Sequence, residues 1–328
     1  MADERRPREK PRRSPQLRLE VMALEPSEVQ QRIEQGIDRL RGLREGDRAV
    51  QDLIACGRAA IGPLRAFLSE RDPSGIFLPR CQAVEVLTTL GAREELLDYL
   101  AHPPEEPDPV EQAGIDVVTS AVARALMEWP DDELFALLLQ TARHKLLPGV
   151  VDALAQFGRE EALPVLTAAL AEDFCRAAAE SGFRRLGDKT CAHLWQLARS
   201  PVPSVDRETE MSRRRRRSAV RLWGELCPCG EPWDILWPLT QDADDHVAFL
   251  ACSLCLERVA ACDAEQVSRR LVELLQSSDW LLRVEVEDLL AKHFARCGAV
   301  VEGALETASG TAAMALRCVI RKASAPNP

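Results

Sequence analysis

The sequence predicts an all-α fold, a solenoid of stacked helix pairs, and three observations predict it. The composition favours helix: Ala, Leu, Glu and Arg dominate, aromatic residues make up 5% and there is a single tyrosine. Segments that alternate apolar and polar residues with period two are scarce. A ladder of apolar positions closed by glycine recurs along the chain, with expected helix ends 29 to 40 residues apart, which marks a repeat architecture.

Taken in order, residues 1–26 read as a disordered basic tail. They hold four prolines and show no helical period, and residues 1–20 carry seven arginines and lysines against four acids. This stretch has no apolar core and does not read as a secretory signal. A first helix is expected from Ser27, which stands in capping-box spacing to Gln30, with Val29, Ile33, Ile37 and Leu40 on one face. The ladder begins at Gly46, with Ala49 at +3, Leu53 at +7, Cys56 at +10 and Gly57 at +11. It returns from Arg80 (Ala83, Leu87, Leu90, Gly91), from Leu147 (Val150, Leu154, Phe157, Gly158) and from Arg176 (Ala179, Phe183, Leu186, Gly187). From Arg216, inside a run of five arginines, it gives Ala219, Trp223, Leu226 and then Cys227 in the glycine slot.

Positions +3, +7 and +10 share one helical face and form a buried stripe. The small residue at +3 lets a neighbouring helix approach, and glycine at +11 ends the helix in a left-handed conformation. A second amphipathic segment precedes each ladder, as in IGPLRAFLSE, DELFALLLQTAR, ALPVLTAALAE and SRRLVELLQSS. Helix ends are expected near Gly57, Gly91, Trp129, Gly158, Gly187, Cys227, Cys262 and Gly298. A pair of this size cannot bury its stripes alone, so neighbours must stack. The solenoid is expected over residues 27–322, with a frayed end at 323–328. Ser200–Ser212 and His102–Pro109 break the period and read as loops on one edge, where partners often bind.

The segment Leu163–Gly187 resembles a HEAT repeat of the bacterial HEAT-like type, the class that includes the phycobilin lyases. Pro164 matches the proline of that family's first helix, Asp173 its inter-helix aspartate and Arg176 its second-helix arginine. Asp72 with Arg80, and Asp279 with Arg283, are looser copies. The resemblance covers about residues 47–321. It implies a right-handed superhelix of about eight helix pairs whose second helices line a concave groove.

Forty-two basic and 52 acidic residues give a net charge of −10, and removing the basic tail leaves residues 21–328 at −13. That balance argues against broad affinity for nucleic acid or anionic membrane. No apolar stretch approaches the ~20 residues of a membrane span. Eleven scattered cysteines read as reduced thiols, and the expected location is cytoplasmic.

The arginine run is the main candidate site. At 100° per residue its members fan around a helix, and a cationic helix start opposes the macrodipole, which points to an anionic partner. Trp223 falls in the buried +7 slot; Trp233 and Trp237 are the remaining candidates for stacking faces. Cys227, Cys229, Cys252 and Cys255 could close a tetrahedral zinc site, but Cys56 and Cys227 sit on ladder positions with no metal logic, so the cysteines read as small core residues. The five histidines lack metal-ligand spacing, and there is no His-Glu dipeptide of the kind used by HEAT-like iron hydroxylases. No phosphate-binding, dinucleotide or nucleophile-elbow motif occurs. The pairs Asp131-Asp132, Glu94-Glu95 and Asp244-Asp245 sit at expected helix starts, where they favour the dipole.

The sequence therefore reads as a non-enzymatic scaffold that binds an acidic protein or peptide partner along its concave surface. Arg213, Arg214, Arg217 and Arg221 are the partner-binding residues, acting as charge-assisted donors. No catalytic residue, metal site or cofactor is assigned. Two alternatives stand: a nucleic-acid-binding protein like the HEAT-like DNA glycosylases, which needs a basic groove, and a HEAT-like chromophore lyase, which needs a deep apolar pocket.

Overall fold

The +3 and +7 residues of all five ladders are buried and the +10 residues lie at the edge of the core. The structure, a computed structural model, describes residues 26–42, 44–72, 74–203, 207–227, 233–258 and 263–324. Among the described residues there is no strand, only one isolated bridge between Pro203 and Glu208. The helices are α1 (Pro26–Arg41), α2 (Gly46–Ala55), α3 (Ile61–Leu68), α4 (Leu78–Thr89), α5 (Arg93–Ala101) and α6 (Pro109–Ala125). They continue with α7 (Asp132–His144), α8 (Pro148–Phe157), α9 (Leu163–Ala169), α10 (Arg176–Leu186), α11 (Cys191–Ala198) and α12 (Glu210–Leu226). The last six are α13 (Trp233–Thr240), α14 (Asp245–Arg258), α15 (Ala264–Leu274), α16 (Trp280–Lys292), α17 (Phe294–Thr307) and α18 (Gly310–Ser324). No helix among the described residues is long and apolar enough to cross a membrane.

Consecutive helices pack as pairs, from α1 with α2 to α17 with α18. The second helix of each pair also packs on the second helix of the next, in an unbroken series from α2 on α4 to α16 on α18. Among the described residues nine pairs result where the sequence suggested about eight, because α17–α18 extends the series past the last expected helix end. The +3 residues explain the close stacking: Ala49, Ala83, Val150, Ala179 and Ala219 are all fully buried. The core is continuous from Ile33 to Val319.

Helix starts follow the acids. Asp131 accepts from Leu134 N at 2.8 Å, Asp108 accepts from Val110 N at 2.8 Å, and Asp279 accepts from Leu281 N at 2.9 Å. Helix stops follow the glycines. Gly91 and Gly158 adopt φ of 71° and 62°, the left-handed region that costs other residues strain.

Three boundaries differ from expectation. Pro26 already belongs to α1, so Ser27 lies inside the first turn and is no cap. Residues 323 and 324 belong to α18 and are not frayed. Gly298 ends nothing: it is buried inside α17, where an added Cβ would meet the Phe294 ring at 2.9 Å. The ladder counted from Arg283 explains this, since it places Val286 and Leu290 in the core and its +11 stop at Phe294, just beyond the last residue of α16. The glycine serves close packing instead. The expectations for residues 1–25 and 325–328, and those for Cys229 and Cys262, fall outside the described residues.

Candidate functional site

α12 is where the arginine run resides, and its start is firmly held. Thr209 caps it by accepting from Ser212 N at 3.2 Å. Ser212 Oγ donates to Glu208 at 2.6 Å and accepts from Val202 N at 2.9 Å. The described part of the Ser200–Ser212 loop is thus tied to the helix it precedes.

The arginines fan around α12 as expected, and the fan delivers each to a different neighbour. Arg216 is 2% exposed. Its Nε donates to Ala198 O, the end of α11, at 2.8 Å, while Nη1 reaches Glu208 at 2.6 Å and Nη2 reaches Asp242 beyond α13. Arg217 grips Asp244 with Nε at 2.9 Å and Nη2 at 2.6 Å. Arg214 turns back to Asp173 before α10 at 2.9 Å, and to Glu210 at 3.2 Å. Arg221 reaches Glu180 on α10 at 2.5 Å. Arg213 pairs with Glu210 one turn away at 2.8 Å. Two arginines therefore bind pair six to pair five and two bind it to pair seven.

Three of the four ladder arginines share one structural task, and Arg80 is the exception. Arg176 Nε donates to Leu170 O, Arg216 Nε to Ala198 O and Arg283 Nη1 to Ser277 O, each a carbonyl at or just past the end of the preceding helix. Of the three aspartate–arginine pairs suggested by the repeat pattern, only Asp173 with Arg176 forms. Asp72 accepts from Ser74 N, Arg80 pairs with Glu111, and Asp279 caps α16 and bonds His246.

Electrostatics follow the geometry. Burial opposes the charge on Asp244, but the Arg217 fork and Val247 N–H more than offset it, so its carboxyl titrates below the usual range. Burial likewise opposes the charge on Arg217 and Arg216, and their carboxylate partners reverse the effect, raising both guanidinium pKa values.

Three of the four arginines singled out by sequence, Arg214, Arg217 and Arg221, meet at one cavity of ≈ 320 Å³ between α10, α12, α14 and α16. Arg176, His246 and Phe249 complete much of its wall, and Arg213 does not line it. The guanidiniums here are matched by Asp173, Glu180, Glu210 and Asp244, so this wall is not the uninterrupted basic lining that a nucleic-acid groove needs. A larger cavity of ≈ 900 Å³ lies between α15, α16, α17 and α18. It meets the size condition of the chromophore reading, but its wall mixes Arg283, Glu287 and Gln276 with alanines and is not the apolar one required.

The cysteine expectation needs correction. Cys227 is joined to Cys191 in a disulfide across α11 and α12, with Cα atoms 5.7 Å apart, so its sulfur is no zinc ligand and no free thiol. The pair was hidden in the sequence because the partners stand 36 residues apart, at opposite ends of one helix pair. Cys252 and Cys255 take core positions on α14, and burial pushes the Cys252 thiol far up. Among the described residues no three His, Cys, Asp or Glu side chains group as metal ligands do. Trp223 is in the core as expected, against Trp195 at 5.2 Å between ring centroids, and Trp237 is half-buried.

Sequence reasoning missed a rim of exposed apolar residues at the starts of second helices. Phe174 is 89% exposed just ahead of α10, Met211 is 54% exposed on the first turn of α12, and Trp280 and Leu281 are 62% and 55% exposed at the start of α16. A signal was present: relative to Arg80, Arg176 and Arg283, Phe77 and Leu78, Phe174, and Trp280 and Leu281 occupy the same −3 and −2 phase, off the buried stripe. Compared with known proteins, the chain matches no family model and no curated protein.

Proposed function

We propose that the chain is a HEAT-type α-solenoid, a right-handed superhelix, that works as a non-enzymatic scaffold for an acidic protein or peptide bound along its second helices. Stacking of second helices through small +3 residues supports the solenoid, since closer approach on that side bends the stack toward it.

The binding reading rests on where apolar surface is left uncovered. Among the described residues, every large exposed apolar side chain except Val202 lies on a second helix or on the few residues leading into one. The first helices expose none of them. Such one-sided exposure is what a partner-binding face leaves bare. Two members of this rim, Phe174 and Met211, adjoin in sequence Asp173 and Glu210, which line the ≈ 320 Å³ cavity together with Arg214 and Arg221, whose side chains are 37% and 49% exposed. A segment offering apolar anchors to the rim and carboxylates to these two arginines suits the surface.

The test is affinity capture with quantitative mass spectrometry on three proteins: wild type, a variant carrying Phe174→Asp and Leu281→Asp, and a control carrying Arg269→Glu on α15. The expected result is one dominant acidic partner, lost from the first variant and kept by the control. An identical partner set for all three would defeat the reading.

A further inference from the structure

We propose that the cavity bounded by α1, α3 and α4 binds a small molecule bearing an oxyanion, a carboxylate or phosphate, on an apolar body. The site lies at the opposite end of the chain sequence from the α10–α16 groove and does not depend on the scaffold reading.

The cavity has a volume of ≈ 360 Å³, within the size range of small-ligand pockets. Three guanidiniums meet there: Arg41 from α1, Arg71 from the segment after α3, and Arg80 from α4. Phe67, Ile76 and Pro79 supply an apolar wall. Two carboxylates, Glu70 and Asp72, share the lining, so the wall carries one positive charge in excess. Asp72 stays ionised, since Ser74 donates to it and holds its carboxyl below the usual range.

The three arginines are not equivalent. Arg41 is committed: it bonds Asp38 at 2.9 Å and Glu70 at 2.6 Å, and lies over the Phe67 ring at 5.2 Å. Arg71 is not: its ion pair is a long 3.7 Å contact to Glu106, with 58% of the side chain exposed. Arg80 is 4% exposed and its Nη1 donates to Glu111 at 2.7 Å, yet its buried Nε has no acceptor. Glu111 Oε2 is also without a donor, so the pair is held by a single bond.

Lining guanidiniums pair with carboxylates both here and in the groove around α12, but this cavity alone of the two combines a long 3.7 Å pair at Arg71 with a buried Arg80 Nε that has no acceptor. A buried N–H left without an acceptor is costly and uncommon. Arg80 lines the cavity, so an oxyanion seated there approaches its guanidinium, and Arg71 offers a second, solvent-facing fork for the same anion. Guanidinium groups suit planar or tetrahedral oxyanions because two N–H bonds run parallel. The Phe67–Ile76–Pro79 wall takes the apolar remainder.

The experiment is isothermal titration of the full chain with benzoate, phenyl phosphate and benzyl alcohol, which share a ring and differ in head group. At least one anion is expected to bind with a Kd below about 1 mM and the alcohol to show no saturable heat. Whichever anion binds identifies the head group. Arg71→Gln, exposed and loosely paired, should keep the wild-type helicity and melting temperature but bind at least about tenfold more weakly. Arg184→Gln on α10 should bind as wild type does. Absence of heat from both anions at about 10 mM, or equal affinity in Arg71→Gln, overturns the proposal.

Discussion

Replacing Arg216 by methionine should destabilise the protein by about 3–5 kcal/mol, the cost of breaking a buried ion network from one side. The magnitude follows from what the guanidinium leaves behind. Arg216 is 2% exposed and serves three acceptors: the Ala198 carbonyl, Glu208 and Asp242. Both carboxylates are 15% exposed, so water can resolvate them only in part after the cation is gone. Methionine fills much of the volume, which keeps the cavity contribution small and isolates the electrostatic one. Total stabilities are about 5–15 kcal/mol, so the effect should be unmistakable. Equilibrium urea unfolding followed by far-UV circular dichroism measures it, with Arg213→Met as comparator. Arg213 is 37% exposed on the side-chain scale and holds one pair within its own helix, so its loss should cost no more than about 0.5 kcal/mol. A loss below about 1 kcal/mol for Arg216→Met, or equal losses for the two variants, would refute the contrast between a buried, networked arginine and an exposed one paired within its own helix.

Three further outcomes are expected. The Cys191–Cys227 bridge closes a loop of separation 36; reduction should lower stability by about 4 kcal/mol on loop-closure entropy, and a non-reducing digest should contain the two linked peptides. A digest with both cysteines alkylated as free thiols would remove the bridge. Burial lowers the pKa of His193, whose Nε2 lies 2.8 Å from Thr167 Oγ1. The unfolded chain then binds the extra proton below its ordinary value of about 6.5, so stability should be full above pH 7 and fall as pH drops toward 5. His193→Gln should flatten that slope, and an unchanged slope in urea titrations at both pH values would count against it. Gly91 has φ of 71° with nothing within 4 Å of an added Cβ, so Gly91→Ala introduces backbone strain without a clash. A loss of about 1–2 kcal/mol is expected, and a gain in melting temperature would show that the left-handed stop is not required.

What the sequence determined by itself was the local part. Helical periodicity, the small +3 residue, the glycine stop and the capping acids act within a dozen residues of one another, so a single chain displays them. Ala83, Leu87 and Gly91 could be placed from Arg80 with no knowledge of any neighbour, and the structure buries or turns each as expected. Tertiary structure decided everything that depends on which helices lie side by side. Arg214 and Arg221 find acids 41 positions away and Arg217 finds one 27 away, and Cys191 meets Cys227 across a whole pair. The acids that the arginine fan meets within the chain stayed hidden, because charge has no periodic signature that names its counter-ion. The exposed rim of Phe174, Trp280 and Leu281 was equally silent, since a large apolar residue off the buried stripe is conspicuous only once the neighbours that fail to cover it are in place.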